Sequence, residues 1–493
     1  MEQEVVISYD FGTSGVKAAV IDRKGRVLCT SVRQYPLQTR KTGWAEQRPE
    51  HYWRAVCEAT KAVLAQNTDA VLSAAGIVCC SQWKGIILIG REGQILYPCI
   101  TWLDARAGKQ AEILNRKMKT REFSAQSYWA KLMWLKENET EFYEQADRIL
   151  EVNSFIKWKL TGNFAVDATN HFADSEDPSM RKHYQEILEA AGLDREKIPP
   201  IVPVESVVGQ VTNTAAEETG LKAGTPVFAG CGDIPAIAMG IGCAEPGESH
   251  AYFGTSGWLG VVSAPGKTEH VMARSALLPG REILLNTMQT VGISLDWTIG
   301  LFYPQEWEQK GKEIYPLLES ELQKVPPGSQ GLFALPWLNG ELPPFSEFAR
   351  AGFINASAVH GRADFVHAMM EGICCNMQWR KLECEKASGE PVTTLRITGG
   401  GAGGNHWMQM LADILGIPVQ VPESHRHTGA VGAAFCAWVG LGYYEDFREC
   451  GRQVEIEREY VPRTSRKAFY QELCGRYLEL FQYLEKLFRN VNS

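Results

Sequence analysis

Two carboxylates and two copies of one glycine-rich turn are the residues of this chain best suited to chemistry. The pentapeptide FGTSG occurs at Phe11–Gly15 and again at Phe253–Gly257, each time after one apolar run and before another. Such a turn between strands offers hydroxyls and successive backbone N–H groups in one concavity, and its glycines let an anion come close. Gly12, Thr13 and Ser14, together with Gly254, Thr255 and Ser256, are therefore candidates for holding phosphate. One copy alone reads as a hairpin; two, each behind a strand, read as the two grips of a polyphosphate site. Asp10 directly precedes the first turn, where a carboxylate can hold Mg²⁺, directly or through water, beside phosphates. Lys17 follows the same turn and either neutralises phosphate or is a solvated strand lysine. Asp233 lies in "VFAGCGDIPAIAMGIG" at a strand-to-helix corner that Gly230 and Gly232 keep clear. It is either a helix N-cap or a general base held at a strand end. The cluster "GGGAGGN", Gly399–Asn405, lacks the order of a dinucleotide fingerprint. It does let a flat ring approach the backbone at a helix start.

The elements that must position these residues follow from periodicity. "EVVISYD", "GVKAAVID" and "GRVLCTS" are strands separated by tight turns. "RPEHYWRAVCEATKAVLAQ" is helical, with Trp53, Val56, Thr60 and Val63 on one face, and "AAGIVCCS" is a buried strand. The second half repeats the opening with "HAYFGTSG" and "WLGVVS". A long helix near Ala363–Lys386 follows, then strand "TTLRITG", helix "HWMQMLADILG", strand "PVQVP", helix "GAVGAAFCAWVG" and a last amphipathic segment near Ser465–Leu487. Strands, helix and strand in that order make an α/β protein. The boundary expected between the halves is near Pro246, giving domains 1–246 and 247–493.

The 493 residues carry a net charge of −8, with 45% hydrophobic and 22% charged residues. That balance argues against nucleic acid or an anionic membrane as the main partner. The longest apolar region, near Ala74–Ile89, is broken by Gln82 and Lys84, so no membrane span is expected. No signal peptide is apparent, and the thirteen cysteines show no zinc spacing. Reduced thiols in a cytoplasmic protein are the expectation.

These elements, in this order, resemble the FGGY carbohydrate kinase family over nearly the whole chain. "DFGTSGVK" resembles its first phosphate motif, "SQWKG" falls at its sugar-contacting loop, and "ITWLDARA" resembles its W-x-D-x-R segment. "AKLMWLKEN" resembles the first signature, with Tyr128 where a Pro, Ser or Thr is usual. "DFVHAMMEG" fits the core of the second, although Asn355 and Ala356 stand where Gly and an aliphatic residue are usual. "LPWLNGELPP" resembles a G-E-R-x-P segment with Leu342 for Arg, and "ITGGGAGGNHWMQMLADILGIPV" closely resembles the adenosine motif. The resemblance implies a two-domain actin-like (ribonuclease H-like) ATPase fold with a central nucleotide and sugar cleft that closes over substrate. It implies ATP-dependent phosphorylation of a sugar or polyol hydroxyl, with ATP and Mg²⁺ as cofactors and a small sugar as partner. Asp233 would accept the hydroxyl proton, Asp10 would organise Mg²⁺, and Thr13 and Thr255 would bind phosphates. Gly400, Gly401 and Asn405 would line the adenine–ribose pocket.

The segments "GWAEQRPEHYW" and "GTSGVK" are most similar to xylulokinases, which points to a ketopentose such as D-xylulose. In those enzymes the loop matching "SQWKG" carries Met-His, whereas Trp83 and Lys84 stand here. Gln82, Trp83, Lys84 and Asp104 are the candidate sugar contacts, with Asp233. Lys84 is either a surface lysine or a donor to hydroxyls or to a carboxylate, which keeps sugar acids and polyols of the gluconate, erythritol or glycerol type as alternatives. Asp104 and Arg106 either brace that pocket or form a structural ion pair. Trp44, Trp337 and Trp407 read as core residues rather than sugar platforms. A chaperone-like ATPase or a sugar-sensing regulator is the competing class. The paired Asp10 and Asp233 favour an enzyme over either. Oligomeric state is not legible, a homodimer being compatible with the chain.

Overall fold

The computed structural model describes residues 4–170, 178–264, 272–275, 277–278, 280–341 and 346–492. Leu342, singled out above, lies outside the described residues. The chain forms two compact units. Unit 1 comprises Met1–Ala244, Ser275–Gly280 and His427–Val454; unit 2 comprises Glu245–Arg274, Arg281–Arg426 and Glu455–Ser493. The boundary expected at Pro246 lies close to the first break, but His427–Val454, expected in the second half, packs with the first unit.

In unit 1 the alternating opening residues give β1 (Val5–Phe11), β2 (Gly15–Asp22) and β3 (Val27–Gln34), each antiparallel to the next. Helix α1 (Pro49–Gln66) starts with proline at its first position, where a missing N–H costs nothing. It buries Trp53, Val56, Thr60 and Val63, and Thr60 Oγ1 lies 2.6 Å from the Tyr9 hydroxyl of β1. The fully buried β4 (Gly76–Ser81) then runs parallel to β1. Helix α2 (Val152–Thr161), β5 (Val207–Gln210) and β6 (Pro226–Phe228) complete the unit with the short β7 (Cys231–Gly232), which pairs parallel with β4 and leads into helix α3 (Asp233–Gly240). The sheet order is β5-β6-β4-β1-β2-β3.

Unit 2 is built on the same plan. Its strands are β8 (Ser249–Phe253), β9 (Gly257–Ser263), β10 (Glu282–Met288), β11 (Leu395–Thr398), β12 (Val419–Pro422) and β13 (Ile456–Tyr460). They run in the order β10-β9-β8-β11-β12-β13, with an edge strand, Met272–Ser275, beyond β10. Antiparallel and parallel pairings follow in the same sequence as in unit 1: β10 is antiparallel to β9 and β9 to β8, β8 is parallel to β11 and β11 to β12, and β12 is antiparallel to β13. Helices α4 (Gly292–Phe302), α5 (Arg362–Ser388) and α6 (Asn405–Leu415) pack on this sheet around a core that includes Phe253, Leu295, Ile373, Trp337 and Trp407.

Helix α7 (Thr428–Gly440) belongs to unit 1. It is apolar all round, the pattern of a helix buried on every side. Ser8 Oγ of β1 donates to the Ala430 carbonyl at 2.7 Å, and a Cβ on Gly432 would lie 1.8 Å from the Ala236 carbonyl oxygen of α3. Glycine is what lets these two helices touch backbone to backbone. The amphipathic α8 (Lys467–Asn492) closes unit 2, burying Tyr470, Tyr477 and Phe481. No described helix is long and apolar enough to cross a membrane, and all thirteen cysteines are free thiols.

Candidate active site

The register of three strands assembles the unit 1 site. Asp10 pairs with Cys80 and Phe11 with Ser81 across β1 and β4, while Cys231 and Gly232 of β7 pair with those same two β4 residues. The next residue along each strand, Gly12, Gln82 and Asp233, therefore stands at one carboxyl edge, with Asp10 two positions behind. Carboxyl edges of parallel strands are where α/β folds bind ligands.

Asp10 is 16% exposed, and its Oδ2 lies 3.6 Å from Lys17 Nζ, the residue facing it across β2. Cys80 Sγ donates to Asp10 Oδ1 at 3.5 Å, the thiol kept protonated by burial. Gly429, in the first turn of α7, has no side chain because a Cβ would lie 2.9 Å from the Asp10 carboxyl carbon. The helix start favours the carboxylate's charge. Beyond Asp10, Gly12 N donates to the Gly15 carbonyl at 3.0 Å, Gln47 Nε2 holds the Thr13 carbonyl at 2.7 Å, and Trp102 Nε1 donates to Thr13 Oγ1 at 3.0 Å. Gln47 and Trp102 were not among the sequence candidates. Trp102 belongs to the W-x-D-x-R segment, which was the available signal.

Asp233 is the first residue of α3, half-buried, and its Oδ1 accepts from the Ile234 N–H at 2.9 Å. Trp83 lies against the same corner, since a Cβ on Gly232 would come within 1.4 Å of the indole Nε1. Gln82 is buried; its Nε2 donates to Gln47 Oε1 at 3.1 Å and its Oε1 accepts no hydrogen bond from a described residue. Lys84 adopts a left-handed backbone with φ +63, which costs a non-glycine residue about 1–3 kcal/mol. The loop is held in that shape by Lys131, wholly buried, whose Nζ donates to the Lys84 carbonyl at 3.0 Å and the Thr101 carbonyl at 2.8 Å. Burial brings the Lys131 amine down to about 8.

Unit 2 supplies a cavity of about 610 Å³. Its floor is the second turn, Gly254 and Thr255, with Gly400, Gly401, Gly403 and Gly404; its walls include Leu295, Ile299, Leu318, Val366, Met370, Tyr315 and Trp407. The two glycine motifs meet because β8 and β11 are parallel neighbours in the sheet. Gly399, at φ +92, lies so close to the Phe253 carbonyl that a Cβ would sit 2.5 Å from its oxygen. The polar rim holds Arg426, Lys312, His406 and Asp296, the last bonded by the Tyr315 hydroxyl. Burial pushes His406 down to about 4, leaving a neutral ring at neutral pH. An apolar slot floored by exposed backbone suits a flat heteroaromatic base.

Residues 5–240 match the FGGY family of carbohydrate kinases, N-terminal domain, and residues 251–441 match its C-terminal domain. The chain belongs to this family. It is an ATP-dependent sugar kinase on the two-domain actin-like α/β fold. It is 28% identical to a xylulose kinase of Bacillus subtilis, over 98% of this chain and 97% of the relative. It is 27% identical to an autoinducer-2 kinase of Klebsiella pneumoniae, over 97% of this chain and 93% of the relative. The gluconate kinase of Lactobacillus acidophilus has the same fold, with a TM-score of 0.85 at 24% identity, over 99% of this chain and 100% of that one.

Within this kinase several candidates stand differently from expectation. Asn405 does not line the unit 2 cavity; it is exposed, and its Oδ1 is taken by Tyr460 at 2.6 Å and Arg458 at 3.0 Å of β13. Asp104 is fully buried, and its carboxylate accepts from Ala45 N at 2.6 Å and from Arg106 N, Nε and Nη2. That is the structural ion pair, completed by Glu46 on Arg106 Nη2 at 2.7 Å and by Trp44, whose ring lies 3.5 Å from the guanidinium. Ser256 lies outside the cavity lining, and Trp407, expected as core, is both buried and part of the wall. Asn355, where the family signature has glycine, holds φ +66, which asparagine tolerates better than most residues.

Proposed function

We propose that this kinase transfers the γ-phosphoryl group of ATP to a hydroxyl of a small sugar bound at the carboxyl edge of β4 and β7, with Asp233 as general base. The observation that carries this is the register that aligns Gly12, Gln82 and Asp233 at one edge with Asp10 behind them. Asp233 accepts the hydroxyl proton, the oxygen forms its bond to the γ-phosphorus, and the bond to the β–γ bridging oxygen breaks as ADP leaves. Thr13 and Thr255 donate to phosphate oxygens, and the unit 2 cavity takes the adenosine.

No group of three or more metal-ligating side chains occurs among the described residues. Asp10 fits Mg²⁺, an ion that keeps most of its water and needs one or two carboxylates beside phosphates. When bound it neutralises phosphate charge.

For the acceptor, a ketopentose such as D-xylulose is the first reading, supported by the xylulose kinase relative. The second is a sugar acid, favoured by Lys84, a cation in the loop where xylulokinase-like chains carry histidine. A lysine ammonium bonds a carboxylate more strongly than a neutral hydroxyl, so a cation at this position favours an anionic acceptor. An ATP-consumption screen over ketopentoses, aldonates, polyols, glycerol and autoinducer-2 tests both, run on wild type and Lys84→Met. The pentulose reading fails if an aldonate is the better wild-type substrate and loses most of its kcat/KM in the mutant. We also propose a cytoplasmic location and leave a homodimer open to a sedimentation measurement.

A further inference from the structure

The backbone that delivers Asp233 is held by a buried polar cluster that the reaction itself does not use. Asp167 is wholly buried, and its carboxylate is satisfied from four sides. Oδ2 accepts from Asn153 Nδ2 at 2.8 Å and Asn170 Nδ2 at 2.7 Å; Oδ1 accepts from Thr169 N at 3.1 Å and from the Thr169 hydroxyl. Because that hydroxyl proton is committed to Asp167, the Thr169 oxygen is left with acceptor capacity. It uses it on Gly232 N, 2.9 Å away, the residue immediately before Asp233.

Neighbouring groups hold the same stretch. Asn153 Nδ2 also reaches the Cys231 carbonyl at 3.4 Å, and the buried Lys157 Nζ donates to the Ala229 carbonyl at 2.8 Å. Gly230 at φ +67 permits the close pass over the Cys79 carbonyl, where a Cβ would lie 2.0 Å from the oxygen. The β7 segment is only two residues long, too short for its pairing with β4 to fix the following corner alone. A carboxylate buried this deeply is costly unless fully bonded, and here one of its partners, Thr169, also holds the N–H beside the proposed base.

We infer that Thr169, oriented by Asp167, is a positioning residue for Asp233: its hydroxyl fixes the Gly232 N–H and so the direction in which the Asp233 carboxylate leaves the strand. The inference rests on the reading of Asp233 as base. Thr169 is buried, and its hydroxyl is taken up by Asp167 and the Gly232 N–H.

The experiment compares Thr169→Val, Thr169→Ala, Thr169→Ser and Asp233→Asn, using ATP and the acceptor of highest kcat/KM from the screen above. Valine keeps the shape and removes the acceptor; misplacing a reacting group by about 1 Å costs on the order of 10²-fold. The expected result is a fall of about 10²-fold in kcat for valine and alanine, with the KM for ATP within error of the serine variant and a thermal midpoint lower by a few degrees, and recovery of kcat to within about threefold in serine. Should valine not fold, alanine carries the comparison. Two outcomes overturn the positioning role alone. One is near-normal kcat in both valine and alanine while Asp233→Asn is inactive. The other is a loss that serine does not restore or that ATP affinity shares equally. Near-normal turnover by Asp233→Asn instead overturns the base assignment, and the positioning role falls with it.

Discussion

The two FGTSG copies have identical residues and fold into different turns. In unit 1 Phe11 pairs with Val16, so four residues, Gly12–Gly15, make the loop, closed by Gly12 N on the Gly15 carbonyl. In unit 2 Phe253 pairs with Gly257, so three residues suffice, closed by Gly254 N on the Ser256 carbonyl. The difference lies in what takes the turn's carbonyls. Around the first, Tyr35 N holds the Ser14 carbonyl at 3.1 Å and the Tyr35 hydroxyl reaches the Gly12 and Gly15 carbonyls at 2.5 and 3.0 Å. Around the second, the start of α4 supplies Val291 N, Gly292 N and Ile293 N to the Thr255 and Gly254 carbonyls. A one-residue change of register swaps the faces of everything that follows. Asp10 therefore faces Lys17 across its hairpin, whereas its counterpart Tyr252 stacks on Trp258 with ring centroids 4.5 Å apart. One copy opens beside carboxylates, the other onto an apolar cavity. A repeated motif thus specifies that a turn forms, and its surroundings decide which chemistry it serves.

The largest expected effect tests whether acid–base chemistry belongs to unit 1 alone. Asp233→Asn keeps the side chain's shape and removes its basicity, so kcat should fall on the order of 10²–10⁴-fold with the KM for ATP unchanged, read in a coupled ADP assay. A near-normal kcat would return Asp233 to the role of a helix-start residue.

The next effect asks whether both turns grip phosphate despite their different shapes. Thr13→Val and Thr255→Val each remove a hydroxyl donor to a buried anion, where charge-assisted bonds contribute roughly 1.5–3 kcal/mol. The expected result is a loss of about 10–100-fold in kcat/KM for ATP in each variant. Acceptor binding without nucleotide, followed by calorimetry, should stay unchanged. If only one variant responds, the other turn is a hairpin and nothing more.

Much of this arrangement was legible from the residues, for identifiable reasons. The strands announce themselves by alternation, α1 by its 3.6-residue period, and the glycine motifs by composition. Long-range packing left no such trace. That α7 belongs with unit 1 depends on Gly429 and Gly432 meeting Asp10 and Ala236, partners far away in sequence. Its all-round apolar face says only that it is buried. The family resemblance put Asn405 in the lining of the adenine–ribose pocket, yet Tyr460 and Arg458, 55 and 53 residues on, take its oxygen. Arg426, Lys312 and Tyr315 reach the cavity from separate segments, with no motif to mark them. Thr169 was invisible for the same reason: its partner Gly232 is a long-range contact.

A smaller effect compares corresponding strand positions, Ser8 and His250, three residues before each FGTSG phenylalanine. Ser8 bonds to α7, whereas neither ring nitrogen of the wholly buried His250 has a hydrogen-bond partner among the described residues. Burial lowers His250 to about 4, against about 6.5 for an unfolded histidine. The unfolded chain therefore binds the proton first as pH falls. The stability contribution is complete above about pH 6.5 and is lost progressively toward pH 4. His250→Leu removes that loss. Its thermal midpoint should match wild type at pH 7.5 to within a few degrees and exceed it at pH 4.5 by the equivalent of about 2 kcal/mol. A gap that does not change between the two pH values would show that His250 does not titrate in this way.

The smallest effect goes to the turn itself. If Tyr35 selects the four-residue loop, Tyr35→Phe should loosen the first FGTSG copy and leave the second alone. The change deletes one hydroxyl that serves the Gly12 and Gly15 carbonyls and keeps the ring, which packs edge-on against Tyr52 with centroids 4.9 Å apart. The net cost of such a bond is about 1 kcal/mol, so the thermal midpoint should drop by only about 2–4 °C. The more telling measurement is hydrogen exchange. Peptides covering residues 11–16 should exchange faster in the variant, while those covering 253–257, whose carbonyls are held by α4, should not change. Equal acceleration in both copies would mean that Tyr35 stabilises the protein as a whole without choosing the register of its turn. No acceleration in either would mean that the register comes from the strands on both sides, with Tyr35 merely occupying the carbonyls that they present.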